Sequence, residues 1–170
     1  ATTLALAGQW PDLPGAIVIE DAGMFTPGAG TAQERQAREA RMRADIARFA
    51  TATREEPMAR CHAESPAWSA EELGPWADSK KRLSPNVLNR SGDAPVDWRA
   101  VLPHIVCPAL LITADPERGG IVTADAAREM QALVPQLQVV HIAGAGHNIR
   151  REQFARYMEV VRAFLAREAK

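Results

Sequence analysis

Short, uninterrupted apolar runs recur near the two ends of the chain and are missing from its middle. Ala16-Ile17-Val18-Ile19, Ala109-Leu110-Leu111-Ile112-Thr113 and Gln138-Val139-Val140-His141-Ile142 each have the length and composition of a strand buried on both faces. Helical patterns lie between and around them. Thr2 to Gln9 reads as a helix stopped by Trp10-Pro11-Asp12. A second helix is predicted to start at Thr123 as N-cap, with Asp125 favoured in its first turn and Met130, Leu133 and Val134 on one face. Near the C-terminus, Phe154, Tyr157, Met158, Val161, Phe164 and Leu165 fall at helical spacing, which predicts an amphipathic helix docked on an apolar surface. Strands alternating with helices imply parallel strands joined by right-handed crossovers.

The middle supplies only helices and loops. Gln33 to Thr53 reads as one charged helix. Glu34/Arg38 and Glu39/Arg43 are i,i+4 pairs of favourable orientation, and Met42, Ile46 and Phe49 line one side. Pro57, Pro66, Pro75, Pro85 and Pro95 break the rest of the middle into short pieces, Glu71 to Leu83 being the clearest further helix. The expected class is therefore α/β, with three parallel strands, flanking helices and a helical insertion. Residues 1–25 form a first core segment, 26–98 the helical insertion and 99–170 a second core segment. Three strands make a thin sheet, each all-apolar strand needs cover on both faces, and alone this chain is expected to leave apolar strands uncovered.

Composition narrows the partners. Twenty Lys and Arg against 21 Asp and Glu leave a net charge of −1, so no charge excess points to nucleic acid or to an anionic membrane. No apolar stretch approaches the roughly 18 residues of a membrane span. Cys61 and Cys107 are too few for a disulfide scaffold. The opening ATTLALAGQW has no basic start before its apolar run and does not read as a signal peptide. A soluble, cytoplasmic globular protein is expected, without cofactor or metal.

Four histidines are available for chemistry. His141 sits inside an apolar run and reads as a core or edge histidine. His62 and His104 have no partners at metal-ligand spacing. His147 stands apart, because it follows a strand in Ile142-Ala143-Gly144-Ala145-Gly146-His147 and precedes the last helix. Sites in α/β proteins collect at the carboxyl ends of strands, and small residues there are expected to keep the loop tight and let a substrate approach. Carboxylates follow the other two strands: Glu20 and Asp21 after the first, Asp115 and Glu117 after the second. A histidine and an acid at neighbouring strand ends are the base and its orienting partner in a nucleophilic triad. Gly144-Ala145-Gly146 is not a dinucleotide fingerprint, since Ile149 occupies the position of the third glycine.

Pro108-Ala-Leu-Leu-Ile-Thr-Ala-Asp115, followed by Gly144-Ala-Gly-His147, resembles the closing half of the α/β-hydrolase fold. In that family a late strand delivers an acid, and the last strand delivers the catalytic histidine before a final helix. Ala1 to Asp21 is similar to the segment after the family's nucleophile elbow: a helix, a turn, and a sixth strand ending here in Ile-Glu-Asp. Residues 26–98 occupy the position of the variable helical cap. The resemblance implies a serine-type hydrolase of esters, lactones or similar small organic substrates, with His147 as base. It implies Asp115, Asp21 or Glu117 as the acid, and Met24, Phe25 and Trp76, with Trp68 nearby, as candidates to line the substrate pocket.

The family's G-x-S-x-G elbow is not in this sequence. Ser65, Ser69, Ser79, Ser84 and Ser91 all lie in the cap-like middle without flanking glycines. By the resemblance, the elbow is expected just before Ala1, and the partner needed to complete the enzyme is an N-terminal half of the same hydrolase carrying that serine. The competing reading is a non-catalytic or truncated scaffold that binds a ligand or partner. Epoxide hydrolase, dehalogenase and carbon–carbon bond hydrolase chemistry stay open, because the nucleophile separates several of them.

Overall fold

The computed structural model of the chain describes residues 2–23, 31–89 and 96–168. In chain order the elements are helix α1 (Thr2–Gln9), strand β1 (Ile17–Glu20), helices α2 (Ala32–Thr51), α3 (Glu55–Glu64), α4 (Ala70–Lys81) and α5 (Trp98–Val101), strand β2 (Ala109–Thr113), helix α6 (Ala124–Leu133), strand β3 (Leu137–His141), and helices α7 (Ile149–Glu152) and α8 (Phe154–Glu168). They divide into two compact units, one of Ala1–Pro27 with Pro95–Lys170 and one of Gly28–Ala94.

The first unit holds a parallel sheet in the order β1-β2-β3. Ile17 pairs with Ala109 and Glu20 with Ile112, while Ala109 pairs with Leu137 and Thr113 with His141. Successive strand residues face opposite sides of the sheet, and the core splits accordingly. Ala109 and Leu111 pack with Leu4, Ile17, Ile19, Met130 and Val134, the layer covered by α1 and α6. Leu110 and Ile112 pack with Ile142, Ile149 and Phe164, joined by partly buried Val18, Tyr157 and Val161, the layer covered by α8. Every residue of β2 is buried. Helices thus cover both faces of β2, and the expected lack of cover falls on the outer strands, where β1 and β3 keep partly exposed residues. What stays open is the outer hydrogen-bonding edge of β1 and of β3, each of which pairs only with β2 among the described residues.

Local chemistry explains the ends of these elements. The Thr123 hydroxyl accepts from the Ala126 amide and starts α6 as predicted. The apolar face of α8 is narrower than its spacing suggests: Phe164 is fully buried, but Phe154 and Leu165 are exposed. Phe154 opens the helix and Leu165 follows Phe164 by one residue, which turns it about 100° away from the sheet.

The second unit is helical. Thr31 and Glu34 form a reciprocal capping box at the start of α2, whose Ile46 and Phe49 are buried. Pro57 does not break the chain here. It sits third in α3, where its missing N–H has no intrahelical partner to lose. Pro75 lies inside α4 and forfeits one bond of the helical ladder. Arg54 grips both carboxylate oxygens of Asp78, with Nε at 2.8 Å and an Nη at 3.0 Å. Arg60 bridges Asp45 at 2.6 Å and Glu64 at 2.8 Å. Cys61, Trp68 and Leu73 form the core of the unit with Met58 and Trp76. No helix among the described residues is long and apolar enough to cross a membrane.

Candidate active site

The carboxyl end of β1 carries two consecutive acids that reach into other parts of the chain. The Asp21 amide donates to the Ile112 carbonyl at 2.8 Å, one step beyond the paired strand residues. The chain then turns sharply, with Asp21 at φ +40°. Left-handed backbone costs a non-glycine residue on the order of 1 kcal/mol, and such strain persists where the surroundings enforce it. Here they do. The Asp21 side chain is fully buried; its Oδ2 accepts from the Ile121 amide at 2.8 Å and its Oδ1 from the Val122 amide at 2.9 Å. Oδ2 also lies 3.0 Å from Nδ1 of His147. Two main-chain donors and an imidazole therefore surround this carboxylate, the condition under which a charge is tolerated in the interior.

His147 follows β3 on a tight loop. Gly144 adopts φ +78°. At Gly146 an added Cβ would stand 2.3 Å from the Arg118 carbonyl oxygen, closer than any real contact allows. The small residues of this loop thus admit a neighbouring stretch of main chain at Gly146. The Gly146 amide donates to Glu152 at 2.7 Å, and the Gln153 side-chain amide donates to the Gly144 carbonyl at 3.3 Å. The imidazole is half exposed; with Nδ1 turned to Asp21, Nε2 faces the other way. Glu20 adds a second tie: its two oxygens accept from the Arg150 amide at 3.0 Å and the Arg150 guanidinium at 2.6 Å.

Asp115 has different partners. Its Oδ1 lies 2.9 Å from Nε2 of His141, and its Oδ2 accepts from the Gly144 amide at 2.7 Å. The Gly144 amide is the main reason its carboxyl is held below the usual aspartate range, with His141 adding to the effect against partial desolvation. His141 Nδ1 lies 3.2 Å from the Thr113 hydroxyl. His141 is therefore a half-exposed residue closing β3 at the sheet edge, and not part of the core.

Of the three acids weighed from sequence, Asp21 meets His147, Asp115 meets His141, and Glu117 is exposed on the 3-10 turn Pro116–Arg118. Trp76 lies on α4, edge-to-face with Trp68 at 6.4 Å between ring centroids, with the Lys80 ammonium 5.2 Å above its ring. It borders a cavity of about 150 Å³ within the helical unit, shared with Met42, Phe49, Arg60 and Leu83. Met24 and Phe25 lie outside the described residues. Among the described residues no three His, Cys, Asp or Glu side chains converge as metal ligands would. Sequence reasoning missed the Ile121 and Val122 amides. The signal was present in Gly119-Gly120, where φ is +98° at Gly119 and a Cβ on Gly120 would meet the Ala114 carbonyl oxygen at 2.8 Å.

No protein-family model and no curated protein matches the sequence. Solved structures do match the fold. An E-2-(acetamidomethylene)succinate hydrolase is 19% identical with a TM-score of 0.63, over 96% of this chain and 62% of that one. The N-formylmaleamic acid deformylase of Pseudomonas putida is 17% identical with a TM-score of 0.69, over 94% and 61%. The enol-lactonase of Burkholderia xenovorans is 20% identical with a TM-score of 0.65, over 97% and 61%. The chain thus spans about three-fifths of the length of each of these structures.

Proposed function

The chain is built on the α/β-hydrolase fold, and on that premise we propose that it is part of a serine-type hydrolase cleaving an ester, lactone or similar small substrate. His147 is the general base and Asp21 its orienting acid. The observation that carries this reading is the strained, fully buried Asp21, fixed by two amides and set 3.0 Å from His147 Nδ1. With Nδ1–H donated to the carboxylate, the lone pair on Nε2 is free to take a proton from a hydroxyl nucleophile and later return it to the leaving group. Asp21 fixes that tautomer and stabilises the imidazolium as it forms. The similar structures, a hydrolase, a deformylase and an enol-lactonase, support the reaction class.

The nucleophile is proposed to reside in an N-terminal half of the same hydrolase outside this sequence, joined covalently or as a companion chain. The test is hydrolysis of p-nitrophenyl acetate by the protein together with that half. His147→Ala is expected to lower kcat by about 10⁶-fold and Asp21→Asn by about 10⁴-fold. Glu117→Gln, an exposed change on the 3-10 turn, should leave kcat at the wild-type level. Wild-type turnover by Asp21→Asn would overturn the assignment of the acid, and wild-type turnover by His147→Ala would overturn the whole reading. A second reading is a binding scaffold without catalysis on the same fold. A fluorophosphonate that labels no serine in the complete protein would establish it.

A further inference from the structure

We propose that Asp115 is a positioning residue for the Asp21–His147 pair, the junction that locks the loop carrying the base to the loop carrying the acid's amide donors. The proposal rests on the catalytic reading of that pair. Two bonds tie Asp115 to the base loop: its Oδ2 accepts from the Gly144 amide at 2.7 Å, and its own amide donates to the Ala145 carbonyl at 2.9 Å. These partners lie three and two residues before His147. Two more bonds shape the acid side. The Asp115 carbonyl accepts from the Arg118 amide at 3.0 Å and from the Gly120 amide at 2.9 Å. That turn delivers the next two amides, of Ile121 and Val122, onto Asp21.

His141 and Thr113 anchor the junction to the sheet. The Asp115 carboxylate accepts, so His141 Nε2 donates, and in the neutral ring Nδ1 then accepts from the Thr113 hydroxyl. Asp115 is thus oriented from β2 and β3 while it orients both loops. The Arg118 carbonyl in turn abuts Gly146, directly before His147. A shift of the Gly144 amide is therefore passed to the imidazole along three residues of chain already in close contact with the acid-side loop. Displacement of a reacting group by about 1 Å is worth roughly 100-fold in rate.

The test uses the protein together with its nucleophile-bearing half, with rates normalised to sites titrated by a fluorophosphonate. Asp115→Ala is expected to lower kcat per titrated site by about 10- to 100-fold with KM within about twofold, while Asp115→Asn, which keeps an oxygen for the Gly144 amide, recovers kcat to within about fivefold of wild type. The downfield Nδ1–H resonance of His147 should persist in Asp115→Asn and broaden or vanish in Asp115→Ala. A merely structural role would reduce the number of titratable sites and leave both the rate per site and that resonance unchanged, and this result would overturn the proposal. So would an Asp115→Asn variant as impaired as Asp115→Ala. Failure of the catalytic reading looks different: Asp21→Asn would stay active while Asp115→Asn lost all turnover.

Discussion

Asp21 is held by the Ile121 and Val122 amides and set against Nδ1 of His147. Its place at a strand end could be read from the sequence, and so could the places of Asp115 and Glu117. Which carboxylate meets His147 depends on the path of residues 115–122, whose Ile121 and Val122 amides capture Asp21 while Asp115 turns to His141 and Gly144. That path is set by the close approaches at Gly120 and Gly146, which no periodicity reports. Removing the acid should also be felt in stability. Asp21→Ala leaves two amide donors without their acceptor, at a cost of about 1–3 kcal/mol for each one that stays buried, readable by urea denaturation. Asp115 gives a pH signature instead. Its carboxyl is held low by the Gly144 amide and by His141, so its stabilisation is complete above the ordinary aspartate range and is lost as pH falls through the lowered folded value. Unfolding midpoints followed downward from about pH 5 should fall less steeply in Asp115→Asn than in wild type.

At the scale of elements, the apolar runs were sound guides because burial on both sheet faces leaves a composition that needs no partner to be recognised. β1, β2 and β3 lie within a residue of the runs that predicted them. Helix α3 was hidden by Pro57, which marks a break in sequence terms but sits harmlessly in a first turn. Two element ends invite measurement. Thr31→Ala removes the capping box of α2 and should cost about 1 kcal/mol in thermal or chemical unfolding. Gly146→Ala must push the His147 loop off the Arg118 carbonyl, a main-chain atom with no flexible end to yield. It should reduce kcat in the p-nitrophenyl acetate assay by at least about tenfold, since misplacing the imidazole is costly even where the fold survives.

For the whole molecule, two physical facts stand together. Helices cover both faces of the sheet, yet β1 presents an unpaired edge among the described residues, and open edges are the places where further strands add. Native mass measurement of the purified protein should reveal a species heavier than this chain alone, with a peptide carrying a serine elbow; a strictly monomeric chain of this sequence would count against the two-part enzyme. The use of the cavity beside Trp76 was not legible in the sequence, because a tryptophan at helical spacing is more often core than pocket. The paired acids closing β1 have one more consequence. Glu20 reaches Arg150 and Asp21 reaches His147 although they are adjacent, because Glu20 closes the strand and the chain turns at Asp21 with φ +40°. One residue inserted into β1 would bring Glu20 to the place of Asp21, a longer side chain facing the imidazole, and one residue deleted would bring Asp21 to the place of Glu20, a shorter one facing Arg150. Strand β1 therefore behaves as a reading frame, in which length counts for as much as identity.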